Sequence, residues 1–229
     1  MAASTRCVRS PPTSPRASGV PGRRRSGRAL VPAALLVLLA GCGGSGSAGS
    51  ADFTGTRLDP DPFVVSSTPL VDTEGTAYSL TEDTDKDLTL VFFGYTNCPD
   101  ICGQVMATLA GTLARLDDGQ KERLDVVFVT TDPARDDEAT VAKYVDAFDP
   151  SIIGLTGDLD DIIEVGRSMA VGVDQGEKLP SGGYEVTHGT QVIAIDSDDE
   201  APAYWKADVS QAQLAHDVTA ILDGLLEEG

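Results

Sequence analysis

Cysteine, histidine and basic residues are all scarce in this chain. Its 229 residues include 4 Cys, 2 His and 17 Lys plus Arg against 36 Asp plus Glu, a formal net charge of −19. So few cysteines exclude a disulfide-built scaffold. So negative a balance excludes a surface that holds nucleic acid or anionic lipid by charge. No internal repeat is present, and the apolar stretch Ala29 to Ala40 has only 12 residues, too few to span a bilayer as a helix. What remains is a chain with 41% hydrophobic residues, enough for the core of one ordinary domain.

The basic residues are unevenly spread. Arg6, Arg9, Arg16, Arg23, Arg24, Arg25 and Arg28 crowd the N-terminus, where there are no acids, and the apolar stretch follows. That order is a signal peptide with its charged region and its short hydrophobic region. Leu39-Ala40-Gly41-Cys42 then resembles a bacterial lipobox, in which Cys42 is acylated and becomes the first mature residue. The expected organisation is a lipoprotein signal at 1–41, an acylated cysteine with a Gly/Ser-rich flexible linker at 42–58, and one folded domain at 59–229. The mature protein is then anchored by lipid to the extracytoplasmic face of a bacterial membrane. Arg23-Arg24 leaves both the general and the twin-arginine export routes open. Removal of 1–41 leaves 10 basic and 36 acidic residues, a net charge of −26, which suits solubility outside the cell.

Within the domain the hydrophobic pattern alternates between periods. Pro60, Pro62 and Pro69 punctuate short β-prone pieces, with Glu74-Gly75 at the turn of an N-terminal β-hairpin. Leu88 to Phe93 reads as a buried strand. A helix from about Cys98 to Leu116 carries the stripe Ile101, Val105, Leu109 and Leu113. A strand at Leu124–Val129 precedes a helix from Asp136 to Phe148, a short strand at Ile152–Thr156 and a helix from Asp158 to Ala170. Gly172–Gly183 reads as a polar loop, Tyr184–Ile195 as a strand, Tyr204–Ala207 as its partner, and Ser210–Leu226 as a closing helix capped by Asp208 or Ser210. This order gives an α/β domain with a mixed central sheet covered by helices on both faces, a thioredoxin-like fold.

Cysteine arithmetic isolates one pair. Cys7 leaves with the signal and Cys42 carries lipid, so Cys98 and Cys102 are the only thiols left for chemistry. If both lie on the first turns of a helix, their i, i+4 spacing puts the sulfurs on one face, with Pro99 at the first helical position. The helix N-terminus favours thiolate, which serves redox exchange and binding of a soft metal alike. The bland alternative, two buried cysteines packing as small hydrophobes, fits poorly beside Asn97 and Asp100. A thiolate copper site calls for a further donor, and the chain offers only two imidazoles. His216 falls off the apolar stripe of the last helix and reads as a surface residue. His188 enters the strand that, in a thioredoxin, follows a cis-proline beside the thiols, and no proline lies close to that entry here. Asp100 and Asp132 are acids near the thiols; each reads first as a turn or cap residue, then as a support for the site or a contact for a partner.

The stretch Phe93-Gly94-Tyr95-Thr96-Asn97-Cys98-Pro99-Asp100-Ile101-Cys102, followed by Thr131-Asp132-Pro133-Ala134-Arg135-Asp136, Ile153-Gly154-Leu155-Thr156-Gly157 and His188, resembles the Sco/SenC family. The similarity runs from about Phe63 to the last helix. It implies a copper-binding thioredoxin-fold protein that binds Cu(I) or Cu(II) through Cys98, Cys102 and His188. It also implies a metallochaperone role toward the CuA centre of cytochrome c oxidase subunit II. The alternative is a thiol-disulfide oxidoreductase that uses Cys98 and Cys102 to reduce client cysteines. Gly103 stands where the family commonly has proline, and Gly189 where it commonly has serine. A peroxidase is a third, weaker reading, because Thr96 lies two residues before Cys98 and leaves no Thr-x-x-Cys.

Overall fold

The structure, a computed structural model, describes residues 53–178 and 184–226, with backbone alone over 174–178 and 184–188. The signal segment, Cys42 and the linker up to residue 52 lie outside the described residues. In chain order the elements are β1 (Thr56–Arg57), β2 (Phe63–Val64), β3 (Leu70–Asp72), β4 (Ala77–Tyr78), β5 (Leu88–Gly94), α1 (Cys102–Leu113), α2 (Asp118–Lys121), β6 (Leu124–Thr130), α3 (Glu138–Asp146), β7 (Ile153–Thr156), α4 (Leu159–Ser168), β8 (Val173–Lys178), β9 (Tyr184–His188), β10 (Val192–Asp196), β11 (Glu200–Ala201), β12 (Ala203–Trp205) and α5 (Gln211–Leu222).

Eight strands form one mixed sheet in the order β1-β12-β10-β5-β6-β7-β3-β4. β5, β6 and β7 run parallel, and β10 runs antiparallel to β5. All seven residues of β5 are buried, because helices cover both faces and leave no side of the strand for water. Leu88, Leu90 and Phe92 join the core made with Leu109 of α1, Val141 of α3 and Val218 of α5. Val91 and Phe93 join the opposite core with Ile162 and Val165 of α4. Each such side chain contributes about 1.5–3 kcal/mol on burial. The arrangement is thioredoxin-like, as the alternation of periods implies.

The structure corrects the sequence reading at four places. First, α1 starts at Cys102 with Ile101 as its N-cap, so Cys98 and Pro99 precede the helix. A residue before proline is pushed out of the α region, which keeps Cys98 in the preceding turn. Second, β8 replaces part of the polar loop; its sequence Val-Asp-Gln-Gly-Glu-Lys has no alternation and is a strand through its pairing with β9. Third, the expected strand Tyr184–Ile195 is two strands, β9 and β10, interrupted at Gly189–Gln191. Fourth, β1 lies inside the segment read as linker and pairs with β12, because Thr54 and Phe53 are already fixed to the domain. The β3–β4 hairpin turns at Gly75 with φ 80°, where a residue without Cβ is favoured. It joins the main sheet through β7 rather than standing apart from it. Ser210 caps α5 in a capping box with Gln213. Among the described residues no helix is long and apolar enough to cross a membrane.

Candidate metal centre

The thiols sit where β5 ends, at the carboxyl edge of the parallel strands. Gly94 closes the strand, and a Cβ there would lie 2.9 Å from Phe92 Cε1 and 3.2 Å from Cys102 Sγ. Only glycine lets the buried sulfur come so near the backbone. The Gly94 carbonyl accepts from the Thr131 N–H at 2.7 Å and the Thr131 hydroxyl at 3.1 Å. The chain then turns, with the Cys98 N–H donating to the Tyr95 carbonyl at 3.2 Å. Cys98 is half-buried, Cys102 is fully buried at the first residue of α1, and both are reduced.

The two sulfurs are electrostatically unequal. Burial works to raise the Cys98 thiol, but hydrogen bonds from the Cys102 thiol and from the N–H groups of Asp100, Cys102 and Ile101 outweigh it and leave Cys98 below the ordinary thiol value. Burial pushes Cys102 up to about 12, and its role as proton donor to Cys98 adds to that. When the pair loses a proton, the negative charge is therefore favoured on the more exposed sulfur. Burial also raises Tyr95, as do the two cysteines, and its hydroxyl is hydrogen-bonded to the Cys98 sulfur.

The loop between β6 and α3 supports this turn. Parallel pairing puts Gly94 opposite Thr130, so the residues after both strands meet although about 40 positions separate them. Asp136 is fully buried and accepts from the Thr96 N–H at 2.8 Å, the Thr96 hydroxyl at 2.6 Å and the Thr130 hydroxyl at 2.7 Å. Asp132 is also fully buried and pairs with Arg135, while its Oδ1 has no hydrogen-bond partner. The Arg135 guanidinium lies 6.0 Å from the Tyr95 ring centroid, within range of a cation–π contact. Asp132 therefore reaches the thiols indirectly, through Arg135 and Tyr95. Asp100 behaves differently: its side chain is exposed and its backbone N–H is what serves Cys98. Tyr95, Arg135 and Asp136 are site residues that sequence spacing alone did not single out. The signal that could have found them is the parallel register of β5 and β6.

The backbone of His188 ends β9 opposite Val173. Four residues later Val192 pairs with Phe92, so β10 starts at the end of the sheet that carries the thiols. Among the described residues no three His, Cys, Asp or Glu side chains form a metal cluster; the described donor set is the two thiols, a soft pair that fits Cu(I). His216 is 60% exposed with its Nδ1 3.4 Å from Asp217 Oδ1, a surface residue as its position off the stripe implies. At Gly103 a Cβ would meet nothing within 4 Å, so the position has room for a side chain. A groove of about 700 Å³ opens between Ile101, Gln104, Thr190, Gln191, Met169 and Tyr204.

Comparison with known proteins agrees with this geometry. The chain is 32% identical over 130 residues to the mitochondrial SCO2 homolog of Danio rerio, a match that takes in 56% of this chain and 47% of that one. It spans about half the length of the curated relatives it matches. The solution structure of the apo Sco1 protein from Thermus thermophilus superposes with a TM-score of 0.66 at 28% identity, covering 77% of this chain and 99% of that one. ScoI from Arabidopsis thaliana, solved with copper bound, gives 0.61 at 28% identity over 70% of this chain and 99% of that one. The SCO1/SenC family model matches residues 60–223. That span takes in the thiol turn, the loop that braces it and the strand after His188, and on it the chain belongs to the SCO1/SenC family.

Proposed function

We propose that this protein is a lipid-anchored extracytoplasmic copper metallochaperone, which carries one copper ion as cargo and aids assembly of the CuA centre of cytochrome c oxidase subunit II. The observation that carries the reading is the pair of free thiols, hydrogen-bonded to each other, at the carboxyl end of β5, in a chain of a family whose members include structures with copper bound. Cys98, Cys102 and His188 are the ligands. Soft thiolates hold Cu(I), and an imidazole beside them adds the donor that Cu(II) needs. Copper binds thiolate, and Cys102 carries its proton until then, so uptake releases acid. The half-buried Cys98 faces the partner, and the groove beside Ile101 leaves room for an acceptor segment to approach. Acylation at Cys42 keeps the domain at the membrane.

The test is titration of the reduced chain from Ala51 onward with Cu(II), beside His188→Ala. A loss of Cu(II) affinity of ~10-fold or more in the variant supports the ligand set; unchanged affinity removes His188 from it.

A second reading rests on the unequal thiols. A sulfur that favours thiolate next to one that keeps its proton is also the arrangement of a nucleophile and a resolving cysteine in disulfide exchange. The readings separate in cells: a reductase keeps its effect on oxidase maturation in His188→Ala and loses it in Cys98→Ser, whereas a copper carrier loses it in both.

A further inference from the structure

A buried carboxylate without a cation is costly unless donors satisfy it. Asp136 is fully buried, and among the described residues no Lys, Arg or His pairs with it. Three donors converge on it, and two of them, the N–H and the hydroxyl, belong to Thr96. Its own backbone is held on the opposite side: the N–H donates to the Asp132 carbonyl at 3.0 Å, and the carbonyl accepts from the Thr156 hydroxyl at 2.9 Å. The carboxylate is thus fixed to the ends of β6 and β7 and reaches across to the turn. Thr96 stands two residues before Cys98, and the intervening backbone closes on itself through the Cys98 N–H and the Tyr95 carbonyl. With Cys98 outside α1, its backbone is held by the turn rather than by the hydrogen-bond ladder of the helix.

We infer that Asp136 is a positioning residue for Cys98: by clamping Thr96 it holds the turn so that the Cys98 sulfur stays against Cys102. The inference rests on the reading of Cys98 and Cys102 as the working pair. Hydrogen-bond geometry rather than charge carries the effect. An asparagine can accept from the Thr96 N–H and the Thr130 hydroxyl through its oxygen while its NH2 donates to the Thr96 hydroxyl oxygen. Alanine removes every contact.

Closure of a mixed disulfide measures the position of one sulfur against the other without copper. Cys98 thiolate attacks oxidised glutathione, forming a Cys98–glutathione disulfide and releasing one glutathione thiolate. Cys102 thiolate then attacks the Cys98 sulfur, forming the intramolecular bond and releasing the second. The second step depends on proximity. In the reduced chain from Ala51 onward, Asp136→Ala is expected to slow closure about tenfold, the scale of one well-oriented hydrogen bond to a charged group, and to weaken Cu(II) binding with a shifted sulfur-to-copper absorption band. Asp136→Asn is expected to stay within about twofold of the wild type, and Thr96→Val to fall between. Val218→Ala, a cavity in the core below α5, serves as the control for instability alone. Unchanged closure in folded Asp136→Ala overturns the inference, and so does equal slowing in Val218→Ala or in Asp136→Asn. If Asp136→Ala does not fold, Thr96→Val decides: slower closure supports the clamp, and wild-type closure overturns it. A wild-type chain that closes normally but takes up no copper refutes the copper reading and leaves the clamp to be judged on closure alone.

Discussion

Cys98 and Cys102 differ in one respect that matters for reactivity: the first is half-buried and surrounded by donors, the second is enclosed and keeps its proton. Thiolate is the reactive form. Because the Cys98 value is depressed, its thiolate forms at lower pH than that of an ordinary thiol, near 8.5, and alkylation accelerates as pH rises through that lower midpoint. Iodoacetamide at neutral pH is therefore expected to modify Cys98 and spare Cys102 in the folded chain from Ala51 onward, as read by peptide mass. Cys102→Ala, which removes the S–H donor, is expected to move the Cys98 midpoint upward. Equal labelling of both thiols contradicts the assignment. The pair itself was legible in the sequence, since the expected signal and lipobox account for the other two cysteines and the motif around the pair is specific. Asp136, Arg135 and Tyr95 were not, because their roles arise from contacts across about 40 residues that no local pattern encodes.

Those contacts are made by elements. Parallel pairing of β5 with β6 sets Gly94 against Thr130 and so brings the Cys turn and the Asp132–Asp136 loop together. Gly94 is where this alignment meets the thiols. Gly94→Ala puts a methyl against Phe92, Phe128 at 3.0 Å and Cys102 Sγ, and overpacking in such a site costs about 1–3 kcal/mol. The expected result is a lower denaturation midpoint in urea together with weaker copper binding, because the Cys102 sulfur must give way; a variant with wild-type stability and binding contradicts the close approach. Long periodic elements such as β5, α1 and α5 were legible because burial on both faces or along one stripe writes itself into the sequence. β8 was not, since a polar segment becomes a strand only through pairing with β9. The start of α1 was read early because Pro99 suits a first helical position, whereas the helix begins at Cys102.

At the scale of the molecule, the chain enters the domain at the end that bears the thiols. β1 is antiparallel to β12, and β12 is antiparallel to β10, which in turn opposes β5. Entry is locked by the fully buried Asp217, which accepts from the Thr54 N–H at 2.9 Å, the Thr54 hydroxyl at 2.6 Å and Trp205 Nε1–H at 2.8 Å. Phe53 stacks edge-to-face on Trp205 at 5.7 Å. Asp217→Ala strands the buried indole N–H and is expected to cost about 3 kcal/mol, seen as a lower midpoint in urea; a loss under about 0.5 kcal/mol, the size of an ordinary surface substitution, contradicts the lock. The linker reading ran past this point because nothing in the sequence near Thr54 announces a partner 163 residues away. The central claim, that Cys98 and Cys102 carry copper, is tested most directly by anaerobic titration of the reduced chain from Ala51 onward with Cu(I) against a coloured Cu(I) chelator. The account predicts about one Cu(I) retained per chain, and retention lost in both Cys98→Ser and Cys102→Ser. Copper left wholly with the chelator, or retained equally by the serine variants, contradicts it.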